Sequence, residues 1–188
     1  GDSHVAVIFF GDGASEEGSV YESICFAKLK KLPVIFVCEN NLYSIATPMN
    51  RREPNDDISS KFKMVLPSYK VDGNDVIAVK SIASSLIEQA REGEGPSFLE
   101  CMTYRYRGHH NIGDGVDGRF RTKEELLRWE KNCPIERIKK KILSDGIASE
   151  KELENIDQKI ALEIEEAFQY AKRSACPAGD TLYDGLWG

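Results

Sequence analysis

Val5-Ala6-Val7-Ile8-Phe9-Phe10-Gly11-Asp12-Gly13-Ala14-Ser15-Glu16-Glu17-Gly18 is the stretch that decides the fold. Its first six residues are apolar throughout and mostly β-branched or aromatic, the pattern of a strand buried on both faces of a parallel sheet. Val34-Ile35-Phe36-Val37-Cys38 repeats that pattern. Between the two runs, Ser15 to Lys31 places Val20, Ile24, Cys25 and Ala27 at helical spacing. Acidic Glu16 and Glu17 stand early and Lys28, Lys30 and Lys31 late, as the helix dipole favours. Strand, helix and strand in so short a span make a βαβ crossover, which brings both strand ends out at one edge of the sheet.

Outward from this unit the pattern continues more loosely. A polar stretch from Thr47 to Ser60 precedes a short strand near Tyr69 to Val71 and a turn at Asp72-Gly73-Asn74. Asp75 is placed to cap a helix over Val76 to Glu92 that stops before Gly93, and Ser97 to Thr103 reads as another strand. From Tyr104 to Arg121 the composition shifts to glycine and arginine around His109-His110, a functional or mobile loop by its length. Three helices follow: one opened by a Thr122/Glu125 capping box, one from Pro134 to Ser144, and one opened by Ser149 and Glu152. In the last, Leu153, Ile156, Ile160, Ile164, Ala167, Phe168 and Ala171 form one apolar stripe, expected to pack on the sheet domain, while Lys139-Lys140-Lys141 reads as a solvated face. The expected fold is therefore α/β, a parallel sheet of about four strands with helices on both faces, over residues 1–121, with a helical C-terminal extension over 122–188.

Composition removes several classes of function. The 188 residues carry 25 Lys and Arg against 31 Asp and Glu, a net charge of -6, which speaks against nucleic acid as a partner. No apolar run approaches the roughly 18 to 20 residues of a membrane span. Five cysteines, Cys25, Cys38, Cys101, Cys133 and Cys176, lack the paired spacing of a structural zinc site and read as reduced thiols of a cytosol-like compartment.

The chemistry gathers at the strand ends. After the first strand, Gly11-Asp12-Gly13-Ala14 lets backbone approach an anion closely. After the second comes Glu39-Asn40-Asn41-Leu42-Tyr43, on a neighbouring loop at the carboxyl edge where α/β proteins bind ligands. A carboxylate, an amide oxygen and a backbone carbonyl are hard donors suited to magnesium carrying a diphosphate. A dinucleotide fingerprint would need a third glycine where Glu16 stands, and Asp12 would set negative charge beside a pyrophosphate with no metal to offset it.

Gly11-Asp12-Gly13 followed by Glu39-Asn40-Asn41-Leu42-Tyr43 resembles the thiamine diphosphate motif. With Val71-Asp72-Gly73-Asn74-Asp75 and Thr103-Tyr104-Arg105-Tyr106-Arg107-Gly108-His109-His110, the chain from Val5 to at least Ala171 resembles alpha subunits of 2-oxo acid dehydrogenases of the pyruvate, branched-chain and acetoin type. The resemblance implies oxidative decarboxylation of a 2-oxo acid, pyruvate first, with acyl transfer to a lipoyl group. The alternatives are an acetoin or branched-chain 2-oxo acid dehydrogenase subunit, or a non-catalytic fragment that keeps the fold and an interaction surface.

It further implies thiamine diphosphate and magnesium as cofactors, with Asp12, Asn41 and the Tyr43 backbone oxygen as metal ligands. Gly13 and Ala14 would present amides to the diphosphate, and His109 would act at the cofactor. The implied partners are a beta subunit, which supplies the activating glutamate in a heterotetramer, and a lipoyl acyltransferase core. The implied compartment is the cytoplasm, or the mitochondrial matrix or plastid in a eukaryote. Two departures stand out: His110 occupies a position that is a phosphorylatable serine in several relatives, and Asn111 to Arg121 is unusually rich in glycine. The family's region before the Gly-Asp-Gly motif is also missing from this sequence, which reads as the C-terminal portion of such a subunit. Glu16, Glu17 and Glu39 would all face the diphosphate end, so the chain by itself is not expected to catalyse decarboxylation.

Overall fold

The computed structural model describes residues 3–110, 116 and 121–186. The two apolar runs become strands β1 (Ala6–Gly11) and β2 (Val34–Asn40), joined by helix α1 (Gly18–Leu29). Strands β5 (Ser68–Asp72) and β6 (Ser97–Met102) flank helix α3 (Val76–Arg91) and complete a four-stranded parallel sheet in the order β1-β2-β6-β5. The labels β3 and β4 belong to a two-stranded hairpin, Tyr43–Ser44 with Thr47–Pro48, and α2 is Ile58–Phe62.

Alternation along β2 and β6 divides the core between two faces. Val34, Phe36, Cys38 and Phe98 meet Ile24 and Ala27 of α1 and Ile58 and Phe62 of α2, whereas Ile35, Val37, Leu99 and Cys101 meet Leu86 of α3. Each fully buried Ile, Leu or Phe among them contributes about 1.5–3 kcal/mol. Helices thus cover both faces, as the sequence predicts. Asp75 caps α3 by accepting from the amides of Ile77 (3.1 Å) and Ala78 (3.0 Å), and the helix ends before Gly93, whose φ of +83° needs no side chain.

Four expectations are corrected. β1 is not buried on both faces: it is an edge strand, with one neighbour, and Val7 and Phe9 are 41% and 64% exposed. The first helix starts at Gly18, not Ser15, because a 3-10 turn over Asp12–Glu16 comes first, closed by the Ser15 hydroxyl donating to the Asp12 carbonyl at 2.6 Å. Thr122 does cap helix α4 (Lys123–Glu130), but Glu125 does not complete the box, since its carboxylate accepts the Tyr43 hydroxyl instead. In the apolar stripe of the long helix α6 (Glu150–Arg173), Leu153 is half-buried and the residues from Ile156 to Ala171 are exposed rather than buried.

The chain forms two compact units, Gly1–Lys139 and Lys140–Gly188. Helix α5 (Pro134–Ser144) ends before Gly146, and α6 opens on a complete Ser149/Glu152 capping box.

Candidate functional site

Parallel pairing sets Gly11 of β1 beside Glu39 of β2, so Asp12 and Asn40–Asn41 leave the sheet side by side at its carboxyl edge. Asp12 opens the 3-10 turn and is buried, and Gly13 follows it against the hairpin. A Cβ on Gly13 would lie 2.8 Å from the Ser44 Cβ, closer than side chains approach, so only glycine lets the turn and the hairpin meet.

Two asparagine turns shape the second loop. Asn40 Oδ1 accepts the Leu42 amide and Asn41 Oδ1 the Tyr43 amide, both at 3.1 Å. Leu42, at φ +72°, then enters the hairpin, where its carbonyl accepts the Met49 amide at 2.8 Å. Since hydrogen-bonded and non-hydrogen-bonded pairs alternate in an antiparallel ladder, the next pair, Tyr43 with Pro48, is of the second kind. The Tyr43 carbonyl therefore points away from β4, and proline, which has no amide proton, is tolerated opposite it.

Beneath this turn lies Glu100 of β6, fully buried, a residue sequence reasoning missed because a lone glutamate inside a strand gives no signal. Its carboxylate accepts Asn40 Nδ2 at 2.7 Å and the Ser59 amide at 2.8 Å, with Lys70 Nζ 3.9 Å away. Glu100 thereby orients the Asn40 amide and ties the turn to the start of α2. Cys38, nearby, is held protonated: burial pushes its thiol up, and the charge of Glu100 adds to the shift.

Arg52 is the other residue the sequence did not single out, although Arg51-Arg52 interrupts an otherwise polar and acidic stretch. Its guanidinium binds the carboxylates of Asp12 and Glu16 together. Asp12, the Asn41 amide oxygen and the Tyr43 carbonyl are all hard oxygen atoms, and a cationic group already sits on the Asp12 carboxylate. Among the described residues no three His, Cys, Asp or Glu side chains gather as a metal cluster. By donor type, a carboxylate, an amide oxygen and a backbone carbonyl are compatible with a magnesium–diphosphate group.

The glycine- and arginine-rich segment rises from β6 on the same side. Arg105 donates to the Ile45 carbonyl at 2.5 Å and lies 3.4 Å from His109 Nδ1, so the hairpin and His109 share one arginine. Burial lowers the pKa of Arg105, and the charge of Asp12 opposes that shift. At the far end Arg121 lies over the rings of Tyr43 and Tyr104, 4.6 and 4.9 Å from their centroids, and donates to the Arg107 carbonyl. The departures at Asn111–Gly115 and Asp117–Phe120 lie outside the described residues.

Tyr43 itself is buried with Tyr104 and Leu126, and its hydroxyl donates to Glu125 of α4 at 2.9 Å. Burial first, and then that bond, raise its pKa. The Asp72-Gly73-Asn74 turn braces the end of β6. A Cβ on Gly73 would press on the Met102 carbonyl at 2.8 Å, and the buried Asn74 accepts Thr103 Oγ1 and donates to the Asn132 carbonyl.

A four-stranded parallel sheet with helices on both faces, and with buried Asp12 beside two asparagine turns at its carboxyl edge, makes this an α/β protein. The chain belongs to the dehydrogenase E1 component family, whose model matches residues 1–179, and membership implies thiamine diphosphate. It is 38% identical to the pyruvate dehydrogenase E1 component subunit alpha of Rhizobium meliloti over 188 residues, 99% of this chain and 53% of that protein. Identity to the subunit of the same name from Porphyra purpurea is 38% over 178 residues, 94% of this chain and 51% of that protein. The mitochondrial somatic form from Pan troglodytes is 37% identical over 183 residues, 97% of this chain and 46% of that protein. The chain thus spans about half the length of the curated relatives it matches. Among the described residues no helix is long and apolar enough to cross a membrane.

Proposed function

We propose that this chain is the diphosphate- and metal-binding portion of the alpha subunit of a thiamine diphosphate-dependent 2-oxo acid dehydrogenase, acting on pyruvate and passing the acyl group to lipoyl. The observation that carries this reading is the juxtaposition at one sheet edge of buried Asp12 with the Asn41–Tyr43 turn. Asp12, Asn41 and the Tyr43 carbonyl would hold magnesium, and the amides of Gly13 and Ala14 would face the diphosphate. Thiamine diphosphate supplies, when bound, the ring carbon that adds to the oxo group and stabilises the charge left on decarboxylation.

The chain's own residues would position and shield. Arg105 holds His109 beside the hairpin, where the imidazole would manage protons and assist acyl transfer. A beta subunit would complete it with the activating carboxylate, in a heterotetramer that docks on a lipoyl acyltransferase core. The functional division would fall between an α/β domain over 1–121 and a helical extension over 122–188. The compartment would be the cytoplasm, or an organelle interior in a eukaryote, in line with the chloroplastic and mitochondrial names among the relatives.

Asp12→Ala and Asn41→Ala should each weaken magnesium-dependent thiamine diphosphate binding at least tenfold, measured by calorimetry on the complex with a beta subunit. Unchanged affinity in both would remove the reading. A second reading, a chain that keeps the fold and a contact surface without turnover, is favoured by the exposed apolar edge of β1. Carbon dioxide release that appears only when a beta subunit is added supports the first, and none under either condition supports the second.

A further inference from the structure

The proposed metal-binding carboxylate is already engaged by a cation of the chain's own. Asp12 is only 1% exposed, and its Oδ2 accepts Arg52 Nη2. The second fork nitrogen of the same guanidinium holds Glu16 Oε1, and Nε donates to the Thr47 carbonyl at 3.2 Å. Arg52 therefore spans the two acids at opposite ends of the 3-10 turn and anchors to the hairpin. A carboxylate oxygen has lone pairs enough for a guanidinium and a metal, but a singly and a doubly charged cation a few ångströms apart in so buried a place repel strongly. The two compete for Asp12.

We infer that Arg52 is a displaceable counter-cation of the metal site: a divalent cation gains Asp12 by expelling the guanidinium, which keeps Glu16 as its partner. This rests on the reading of Asp12 as a metal ligand. It gives Arg52 two opposed effects. It neutralises a buried carboxylate and so stabilises the fold, and it raises the cation concentration needed to fill the site. Because Arg52 is also bonded to Thr47, expulsion would be felt in the hairpin that carries Tyr43, so metal arrival and the setting of that turn are coupled.

The test uses the full 188-residue chain and manganese alone as the probe, with free Mn2+ counted by electron paramagnetic resonance and thermal unfolding followed with and without the ion. Arg52→Gln should bind Mn2+ about tenfold more tightly than the wild type or better, since a charge-assisted contact no longer has to be broken. It should also melt lower without the ion and gain more from it. Arg52→Lys retains a charge but not the fork that bridges both acids, so its affinity should fall between the two, and it serves if the glutamine variant does not fold.

Equal Mn2+ affinity in wild type and both variants, or no binding in any of them, overturns the inference. Asp12→Asn separates the two levels of failure. If it abolishes Mn2+ binding while the Arg52 variants match the wild type, the metal site stands and Arg52 plays no part in it. If it leaves binding intact, the assignment of Asp12 as a ligand fails first.

Discussion

Replacing Glu100 by glutamine changes one atom in the interior, and the structure gives its consequence a size. Both carboxylate oxygens are committed, Oε1 to Asn40 Nδ2 at 2.7 Å and Oε2 to the Ser59 amide at 2.8 Å. Glutamine offers one acceptor oxygen, so one of the two donors must face an NH2 group. That removes a hydrogen bond to a charged acceptor, worth about 1.5–3 kcal/mol, and leaves a buried donor unsatisfied at about 1–3 kcal/mol. Against this stands the relief of burying a charge whose counter-ion, Lys70, is as far as 3.9 Å, which returns a fraction of the loss. The net expectation is destabilisation by about 2–4 kcal/mol.

Urea unfolding of the wild type, Glu100→Gln, Asn40→Ala and the double variant measures both the size and its origin. The two residues should couple by at least about 1 kcal/mol in the cycle, with unchanged m-values. A single-variant loss below about 0.5 kcal/mol, or additivity of the pair, would refute the claim that Glu100 fixes the Asn40 turn.

Two further outcomes follow from the geometry. Gly13→Ala should destabilise the chain by about 1–3 kcal/mol through its clash with Ser44, and Ser44→Gly in the same background should recover most of that, read by thermal unfolding. Glu152 accepts the Ser149 amide and hydroxyl, which hold its pKa below the ordinary 4.5, so its support of the α6 N-terminus is present above that value and is lost as the pH falls through the lower folded value. Amide exchange at residues 150–153 should therefore accelerate on acidification in the wild type, whereas in Glu152→Gln any change with pH should be clearly smaller.

The strand–helix–strand frame was legible because uninterrupted apolar runs and a helical period are signals that survive without neighbours. The same runs misled at β1, where hydrophobicity states what a strand would bury and not whether a neighbour is present to bury it. The stripe of α6 misled in the same way. Asp12 and Asn41 could be placed together because parallel strands end at one edge, a topological fact. Their supports could not. Glu100 lies 60 positions from Asn40, Arg52 lies 40 from Asp12, and Glu125 lies 82 from Tyr43, so each pairing depends on three-dimensional closure that no local spacing encodes. Glu125 shows the contest directly, for a residue well placed to complete a capping box is taken by a distant tyrosine.

Arg105 and Arg121 bear on how such a scaffold can change over time. The segment they bracket starts on the Ile45 carbonyl and returns to the Tyr43 ring, two points one turn of hairpin apart. Its base is thus clamped independently of what lies between. The entropic cost of bringing two chain positions together rises only with the logarithm of the number of residues between them, by about 0.6 kcal/mol for each doubling. Insertions, deletions and exchanges between Gly108 and Arg121 should then leave the hairpin and its asparagine turns in place. Sequence change between the two arginines is thus decoupled from the strand-end turns that hold Asp12 and Asn41 side by side.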